Sequence, residues 1–298
     1  ETFDAARKAN PAILNICGGG LVSSDPEIAP DMIDMDIGIV GEGEQSIIEA
    51  IEVYQSGGDL ADVKGIVFKN EEGQNVRTGT RPTVMDLATI HWPDYDVLGV
   101  EPYLDMQTPH DHYFFECQPD SRPRSIDMIT SRSCPFSCTF CFHPVGKVYR
   151  ERPLDEFFAE LEHLINRYQI NMVVIVDELF SLRKARLMEF CERIKQYDVQ
   201  WMVQLHISSV DNESLAAMHG SGSPVISFGV ESMSQPVLDS MQKKAKKEKI
   251  DHALRLTYEN RIGIQGNLIF GDTAETMETA NESMAWWAAN SHHQINLS

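Results

Sequence analysis

"SRSCPFSCTFCFHP", residues 131–144, holds three of the chain's six cysteines within eight positions: Cys134, Cys138 and Cys141. Cys17, Cys117 and Cys191 are scattered, as small buried hydrophobes usually are. Six cysteines in 298 residues are not a disulfide scaffold, so a reducing, cytoplasmic setting fits. Three thiolates in this spacing converge on one centre from a single loop. A structural zinc ion wants four tetrahedral ligands; the fourth would be His143, two residues on, or the distant Cys117. A cubane iron–sulfur cluster takes one cysteine per iron. Three cysteines then leave one iron open, and an open position is where a metal binds and activates a partner. The residues alone leave zinc and iron–sulfur both standing.

Outward from the cysteines, the chain alternates strand and helix. "SIDMITSR" (125–132) is a strand leading straight into them. Leu154, Phe157, Phe158, Leu161, Leu164, Ile165 and Tyr168 fall at helical spacing. "MVVIV" (172–176) is a β-branched run suited to a parallel strand buried on both faces. A second helix is predicted with Leu182, Ala185, Met188, Cys191 and Ile194 on one face and Ser181 as N-cap. "WMVQLHI" (201–207), "PVISFGV" (224–230) and "GIQGNLIF" (263–270) read as further strands, with helices near 246–261 and over 274–290, and "INLS" begins a sixth strand. Repeated strand–helix units imply parallel strands with right-handed crossovers, hence a barrel or part of one. Its chemistry belongs at the C-terminal strand ends. There stand Cys134, then Asp177 and Glu178, Glu231 and Ser232, and Gly271 and Asp272.

The first sixty residues are also α/β. "AILNIC" (12–17) runs into Gly18, Gly19 and Gly20; "MDIGIV" (35–40) runs into Gly41, Glu42, Gly43 and Glu44, before a helix bearing Ile47, Ile48, Ile51 and Tyr54. Parallel strands ending in glycine turns form a crevice for a ligand with a phosphate or nucleotide part. They occur equally in plain Rossmann-like sheets. "GIVFKNEEGQNVRT" is a hairpin turning at Gly73, and the Pro- and Asp-rich "RPTVMDLATIHWPDYDVL" is a surface connector.

The formal charge of −20 disfavours broad nucleic-acid binding. The one basic run, "KKAKKEK" (243–249), reads as a solvated helix start. Hydrophobic content of 42% supports a sizeable core, and no apolar run is long enough to span a membrane. The chain begins at Glu1 and ends inside a strand pattern, which suggests a piece of a longer protein. "HDH" (110–112) and "HH" (292–293) read as exposed loop histidines, the former a candidate pocket lining. Trp286 and Trp287 read as barrel-packing residues.

"CPFSCTFC" resembles the Cys-x3-Cys-x2-Cys motif of radical S-adenosylmethionine (SAM) enzymes, down to the aromatic before the last cysteine. The resemblance covers about residues 121–298. It implies that Cys134, Cys138 and Cys141 bind three irons of a 4Fe–4S cluster and that SAM chelates the fourth. It puts Phe140 near the adenine. "VDELF" stands where the family often has Gly-Gly-Glu, so Asp177 or Glu178 would bind the SAM amino group. "FGVES" resembles the fourth-strand motif, putting Glu231 and Ser232 near the ribose or methionine, with Lys243 reaching the carboxylate. "LIFGDTAET" resembles the fifth-strand pattern, with Gly271 at the adenine and Glu275 bracing the loop. The implied chemistry is one-electron cleavage of SAM to a 5′-deoxyadenosyl radical.

The resemblance extends upstream. A subset of these enzymes carries a cobalamin-binding Rossmann-like domain, and "CGGG" (17–20), "VGEGEQSIIEAI" (40–51), "GIVFKNEEG" (65–73) and "WPDYD" (92–96) match it in order. The Asp-x-His-x-x-Gly motif of base-off cobalamin proteins does not occur. Gly18, Gly19, Gly20, Gly41, Glu42, Gly43 and Glu44 are the implied cobalamin-binding residues. The expected fold is α/β: a partial (β/α)6 radical SAM barrel over 121–298, truncated in its sixth strand. It follows the C-terminal half of a Rossmann-like domain (1–60) and a hairpin-bearing connector (61–120). The expected function is cobalamin-dependent methyl transfer to an unactivated carbon of a small-molecule or lipid substrate, with a flavodoxin- or ferredoxin-type electron donor. The alternatives are a radical SAM cyclase or oxidase, a methylthiotransferase and a zinc-binding structural module. The methylthiotransferase needs a second cluster with three more cysteines, and only Cys17 and Cys117 precede the motif.

Overall fold

Two short parallel strands, β1 (Ile16–Cys17) and β2 (Ile37–Ile39), open the first sheet, and an antiparallel hairpin, β3 (Ile66–Lys69) and β4 (Asn75–Arg77), completes it in the order β1-β2-β3-β4. The computed structural model describes residues 2–108, 122–293 and 295–297, so Cys117 and the 110–112 histidines lie outside the described residues. The chain divides into two units, Glu1–Met85 with Phe142–Gly146, and Asp86–Cys141 with Lys147–Ser298.

In the first unit, Ile37, Ile39, Ala50, Val63 and Ile66 form one buried cluster and Val22, Ala29, Met35 and Val67 another. Gly38 faces the second cluster: a Cβ there would lie 2.6 Å from Val67 and 2.9 Å from Met35 and Val22, so only hydrogen fits against it. The helix Glu44–Ser56 follows β2 as expected, but its inner face differs. Ser46 and Ala50 are buried while Ile47, Ile48 and Tyr54 are exposed, because the small residues allow close approach to β2. The expected hairpin forms, and β3 pairs with β2 along Ile37–Ile39.

The second unit contains β5 (Ser125–Met128), β6 (Ser131–Arg132), β7 (Arg150–Glu151), β8 (Met172–Ile175), β9 (Gln200–Leu205), β10 (Val225–Glu231), β11 (Gly263–Leu268) and β12 (Ile295–Leu297). Six of these form one all-parallel sheet in the order β12-β11-β10-β9-β8-β5, a partial barrel, while β6 and β7 form a separate ribbon. Successive strands of this sheet pair throughout, as repeated strand–helix units place them side by side. The helix Leu154–Tyr168 buries Leu154, Phe157, Phe158, Leu161, Leu164 and Tyr168, the stripe its spacing predicts. Each such side chain contributes roughly 1.5–3 kcal/mol on burial. The next helix starts later than expected, at Lys184, with Arg183 rather than Ser181 as N-cap. Leu182 therefore precedes it and is exposed, and the buried face is Arg186, Leu187, Phe190, Cys191 and Ile194. The Pro- and Asp-rich stretch does more than skirt the surface: Tyr95 is buried and its hydroxyl donates to Glu160, 2.6 Å away on the Leu154–Tyr168 helix. Trp286 and Trp287 pack on the core, donating to Asp251 and to the Ile295 carbonyl. No helix among the described residues is long and apolar enough to cross a membrane.

Candidate functional site

The cysteine loop is held at its base by the β6–β7 ribbon, in which Ser131 pairs with Glu151 and Arg132 with Arg150. Ser133, next to Cys134, is fully buried at φ 66°. That left-handed backbone costs a non-glycine residue about 1–2 kcal/mol. The buried Arg150 donates to the Ser133 hydroxyl at 3.1 Å and stabilises the turn that launches Cys134.

The residues between the cysteines are tied to the ends of neighbouring strands. The Phe136 ring stacks on His206, just past β9, with centroids 4.6 Å apart and planes at 23°. The Thr139 amide donates to the Met241 carbonyl at 2.9 Å. The Lys243 ammonium lies 5.9 Å from the centre of the Phe140 ring.

Burial raises the Cys134 thiol, and Cys138 and Glu178 push it further up while Lys243 pulls it down. Burial raises Cys141 to about 11, with Cys138, Glu231 and Cys134 raising it and Lys243 opposing. Six sequence-predicted residues thus share one electrostatic neighbourhood: the three cysteines, Glu178, Glu231 and Lys243. Among the described residues no three His, Cys, Asp or Glu side chains gather as ligands of a single metal ion. Three thiols from one loop that act on one another are the donor set of a cluster that takes one thiolate per iron. Loading it would release protons from raised thiols.

Lys243 and Glu231 form a buried ion pair at 2.7 Å, with side chains 9% and 6% exposed. The basic run is therefore a solvated helix start only from Lys246, in front of the helix Lys247–Glu259. Glu231 sits at φ 63°, where the β10–β11 register shifts, and that kink returns its carboxylate over Gly229. A Cβ at Gly229 would lie 2.3 Å from the carboxylate and 2.5 Å from the ammonium, so the ion pair occupies the volume a side chain would need.

Not every predicted residue reaches this site. Ser232 is buried; its hydroxyl meets that of Ser283 and accepts from the Ser234 amide. β10 ends at Glu231, so Ser232 follows the kink, and its hydroxyl is engaged within the protein. Asp177 is likewise turned inward, accepting from the Thr130 amide and hydroxyl and the Ser131 hydroxyl. Burial raises its carboxyl to about 6 despite those bonds. Of the pair, the exposed Glu178 acts on the Cys134 thiol. Gly271 has φ 100° with nothing within 4 Å of a Cβ position, and its amide donates to Glu275, which braces the turn.

In the first unit, the two glycine turns follow neighbouring parallel strands on the same sheet edge, since Ile16 pairs with Ile37 and Cys17 with Gly38. Gly19 and Gly41 have φ 92° and 78° and open space where a Cβ would be. Gly18, Gly19 and Gly20 are exposed; Gly41, Glu42, Gly43 and Glu44 are half-buried. Glu42 accepts from the Val84 amide at 2.8 Å. A cavity of about 250 Å³ beside this turn is lined by Gly41, Glu42, Arg77, Thr78 and Arg81 among others.

Sequence reading missed Ser133, Arg150, His206 and Gly229. His206 had a signal, since it is a polar residue at the C-terminal end of a parallel strand. Arg150 and Gly229 had none, because Arg150 meets Ser133 17 residues away and Gly229 meets Glu231 and Lys243 only through the kink at Glu231.

The sequence pattern of the Radical SAM superfamily matches residues 128–286. The chain is similar to the anaerobic magnesium-protoporphyrin IX monomethyl ester cyclase of Rubrivivax gelatinosus, 27% identical over 97% of this chain and 53% of the relative. It is also similar to an uncharacterized methyltransferase of Pyrococcus horikoshii, 27% identical over 92% of this chain and 57% of the relative. The chain thus spans about half the length of these curated relatives. Among solved structures it is similar to the cobalamin-dependent S-adenosylmethionine radical enzyme OxsB with aqua-cobalamin and S-adenosylmethionine bound. The TM-score is 0.77 at 18% identity, over 96% of this chain and 40% of that one, a likeness of fold.

Proposed function

The chain belongs to the radical SAM superfamily, and from that premise we propose that it is the core of a cobalamin-dependent radical SAM enzyme. Its reaction is methyl transfer to an unactivated carbon of a small-molecule or lipid substrate. The observation that carries this reading is the grouping of three thiols, Glu178 and the buried Lys243–Glu231 pair at the C-terminal strand ends of a partial parallel barrel. When bound, a 4Fe–4S cluster supplies the electron that breaks a carbon–sulfur bond of SAM, and cobalamin supplies a methyl carrier.

The chain's residues do the rest. Cys134, Cys138 and Cys141 would hold three irons of the cluster and leave one for SAM. Lys243 offers its ammonium to the SAM carboxylate from a dry, pre-paired position, where charge interactions are stronger than in water. Glu178 accepts from the amino group and Glu231 from ribose hydroxyls. Phe140 lies by the adenine, with the Gly271 turn admitting its edge. Asp177 acts by holding Thr130 and Ser131, the residues that lead into the loop. Gly18, Gly19, Gly20, Gly41, Glu42, Gly43 and Glu44 cradle cobalamin, and the open space at Gly19 and Gly41 supports this. In domain terms, the cobalamin-binding part lies in 1–60, the connector in 61–120 and the barrel in 121–298. A flavodoxin- or ferredoxin-type donor, a cytoplasmic setting and no nucleic-acid partner complete the proposal; the charge of −20 supports the last.

Oxidative cyclisation is the second reading, favoured by the cyclase relative that aligns over 97% of this chain. The first test is the iron, cobalt and zinc content of the full-length protein made anaerobically with cobalamin supplied. About four irons per cluster with cobalt is the expected result, and methyl-transfer assays then separate the two readings. Iron without cobalt removes the cobalamin claim, and zinc without iron overturns the enzyme.

A further inference from the structure

His206 follows β9 directly, and its ring is anchored on one side. The Ser208 amide donates to Nδ1 at 3.3 Å, and the Ser208 hydroxyl lies 2.7 Å from the same nitrogen. A backbone N–H only donates, so Nδ1 is the accepting nitrogen and the neutral ring carries its proton on Nε2. Nε2 is buried, and the main chain of Lys243 is a hydrogen-bonding group that acts on the ring besides Ser208. With the tautomer and ring plane set, the face of the imidazole is what it presents to Phe136, in the first gap of the cysteine motif. The second gap is tied separately, by Thr139 to Met241 and by Phe140 to Lys243. The Pro135–Ser137 segment is held by this stack at the end of β9 and, from the side, by Lys147, which donates to the Ser137 hydroxyl at 3.2 Å.

We propose that His206 is a positioning residue that docks the cysteine loop onto the end of β9 through Phe136, so that Cys134 and Cys138 are presented together to the cluster. The proposal rests on the reading that these cysteines hold an iron–sulfur cluster. Burial and the Lys243 ammonium keep the imidazole neutral, with its pKa pushed down to about 4, so the stack adds no cation beside the thiols. A stacked aromatic pair accounts for about a twofold to tenfold effect on an equilibrium.

The test uses the full-length protein with its cluster rebuilt anaerobically, and compares His206→Ala, His206→Phe, Phe136→Ala and the double variant His206→Ala/Phe136→Ala. The readouts are the rate of iron loss to a chelator and the electron paramagnetic resonance spectrum of the reduced cluster. His206→Ala and Phe136→Ala are each expected to lose iron about twofold to tenfold faster than the parent. The double variant should be no worse than either single one, as contacting residues behave, and His206→Phe should restore parental retention and spectrum. Parental retention in His206→Ala, or additive losses in the double variant, would overturn the stack as the tie. Failure of His206→Phe to rescue would do the same. An unmutated protein that takes up no iron would instead sink the cluster reading itself.

Discussion

The two sets of parallel strand ends in this chain are built in opposite ways. In the first unit the ends of β1 and β2 are bare backbone: Gly19 and Gly41 stand at left-handed φ with open space in place of side chains. In the second unit the strand ends are crowded with side chains. A buried lysine, a buried glutamate, a stacked histidine and three thiols lean on one another. Backbone turns suit a large ligand that is met by shape and by amide groups. A side-chain cluster suits chemistry in which charges must be held against desolvation. The contrast teaches that the second site resists single changes poorly, whereas the first depends on room being left free.

Changes at the cysteines should break that comparison hardest. Cys134→Ala, Cys138→Ala or Cys141→Ala should each abolish stable cluster binding. Iron and the visible absorbance of the anaerobic protein would fall by about tenfold or more, since each removes one of three ligands. Retention of half the iron by any of them would mean that another residue takes its place.

The ion pair comes next. Lys243→Met strands Glu231 uncompensated in the interior, and breaking a buried pair costs about 3–5 kcal/mol. The double change Lys243→Met/Glu231→Gln should recover most of that stability in a denaturant titration without recovering SAM binding. If it recovers both, the pair is structural only. Gly229→Ala pushes a methyl group into the same volume and should weaken SAM binding in proportion to how far the pair is displaced.

Asp177 sharpens the comparison through pH. Its carboxyl is raised from 3.8 to about 6 in the folded protein. The folded state therefore binds this proton more tightly than the unfolded one. The stability that goes with it is fully present below pH ~4 and lost as pH rises through about 6, on the order of 3 kcal/mol in all. Asp177→Asn should flatten that part of the stability–pH curve, measured by denaturant midpoints between pH 4 and 7. A variant that keeps the slope would assign it to another group.

The smallest effect belongs to the open turns. Gly19→Ala and Gly41→Ala each force a left-handed φ on a Cβ, costing about 1–2 kcal/mol, and fill space now empty. Cobalamin affinity, followed by spectral titration, should drop several-fold while iron content stays unchanged. Loss of iron in these variants would mean that the two sets of strand ends are not independent.

Much of this was legible in the order of residues. Cysteine spacing, the 3.6-residue stripe from Leu154 to Tyr168 and the apolar runs that became β8 and β10 are local patterns, and local patterns survive translation into structure. What failed was also local but ambiguous. Ile47, Ile48 and Tyr54 looked like a buried face, and Ser46 and Ala50 took that place because close packing on β2 rewards small side chains. Leu182 looked like part of a helix that begins only at Lys184.

By itself, the sequence determined that three thiols would share one loop at the end of a parallel strand and that strand–helix units would follow it. Periodicity and spacing act over a few residues and need no partner from afar. Only the tertiary structure decided that Asp177 binds Thr130 while Glu178 acts on the Cys134 thiol, that Ser232 meets Ser283, and that Lys243 leaves its basic run to pair with Glu231 near Phe140. It also decided that Arg150 holds Ser133 and that His206 meets Phe136. These are contacts between residues from 12 to 103 positions apart, and such contacts exist only once the chain has folded.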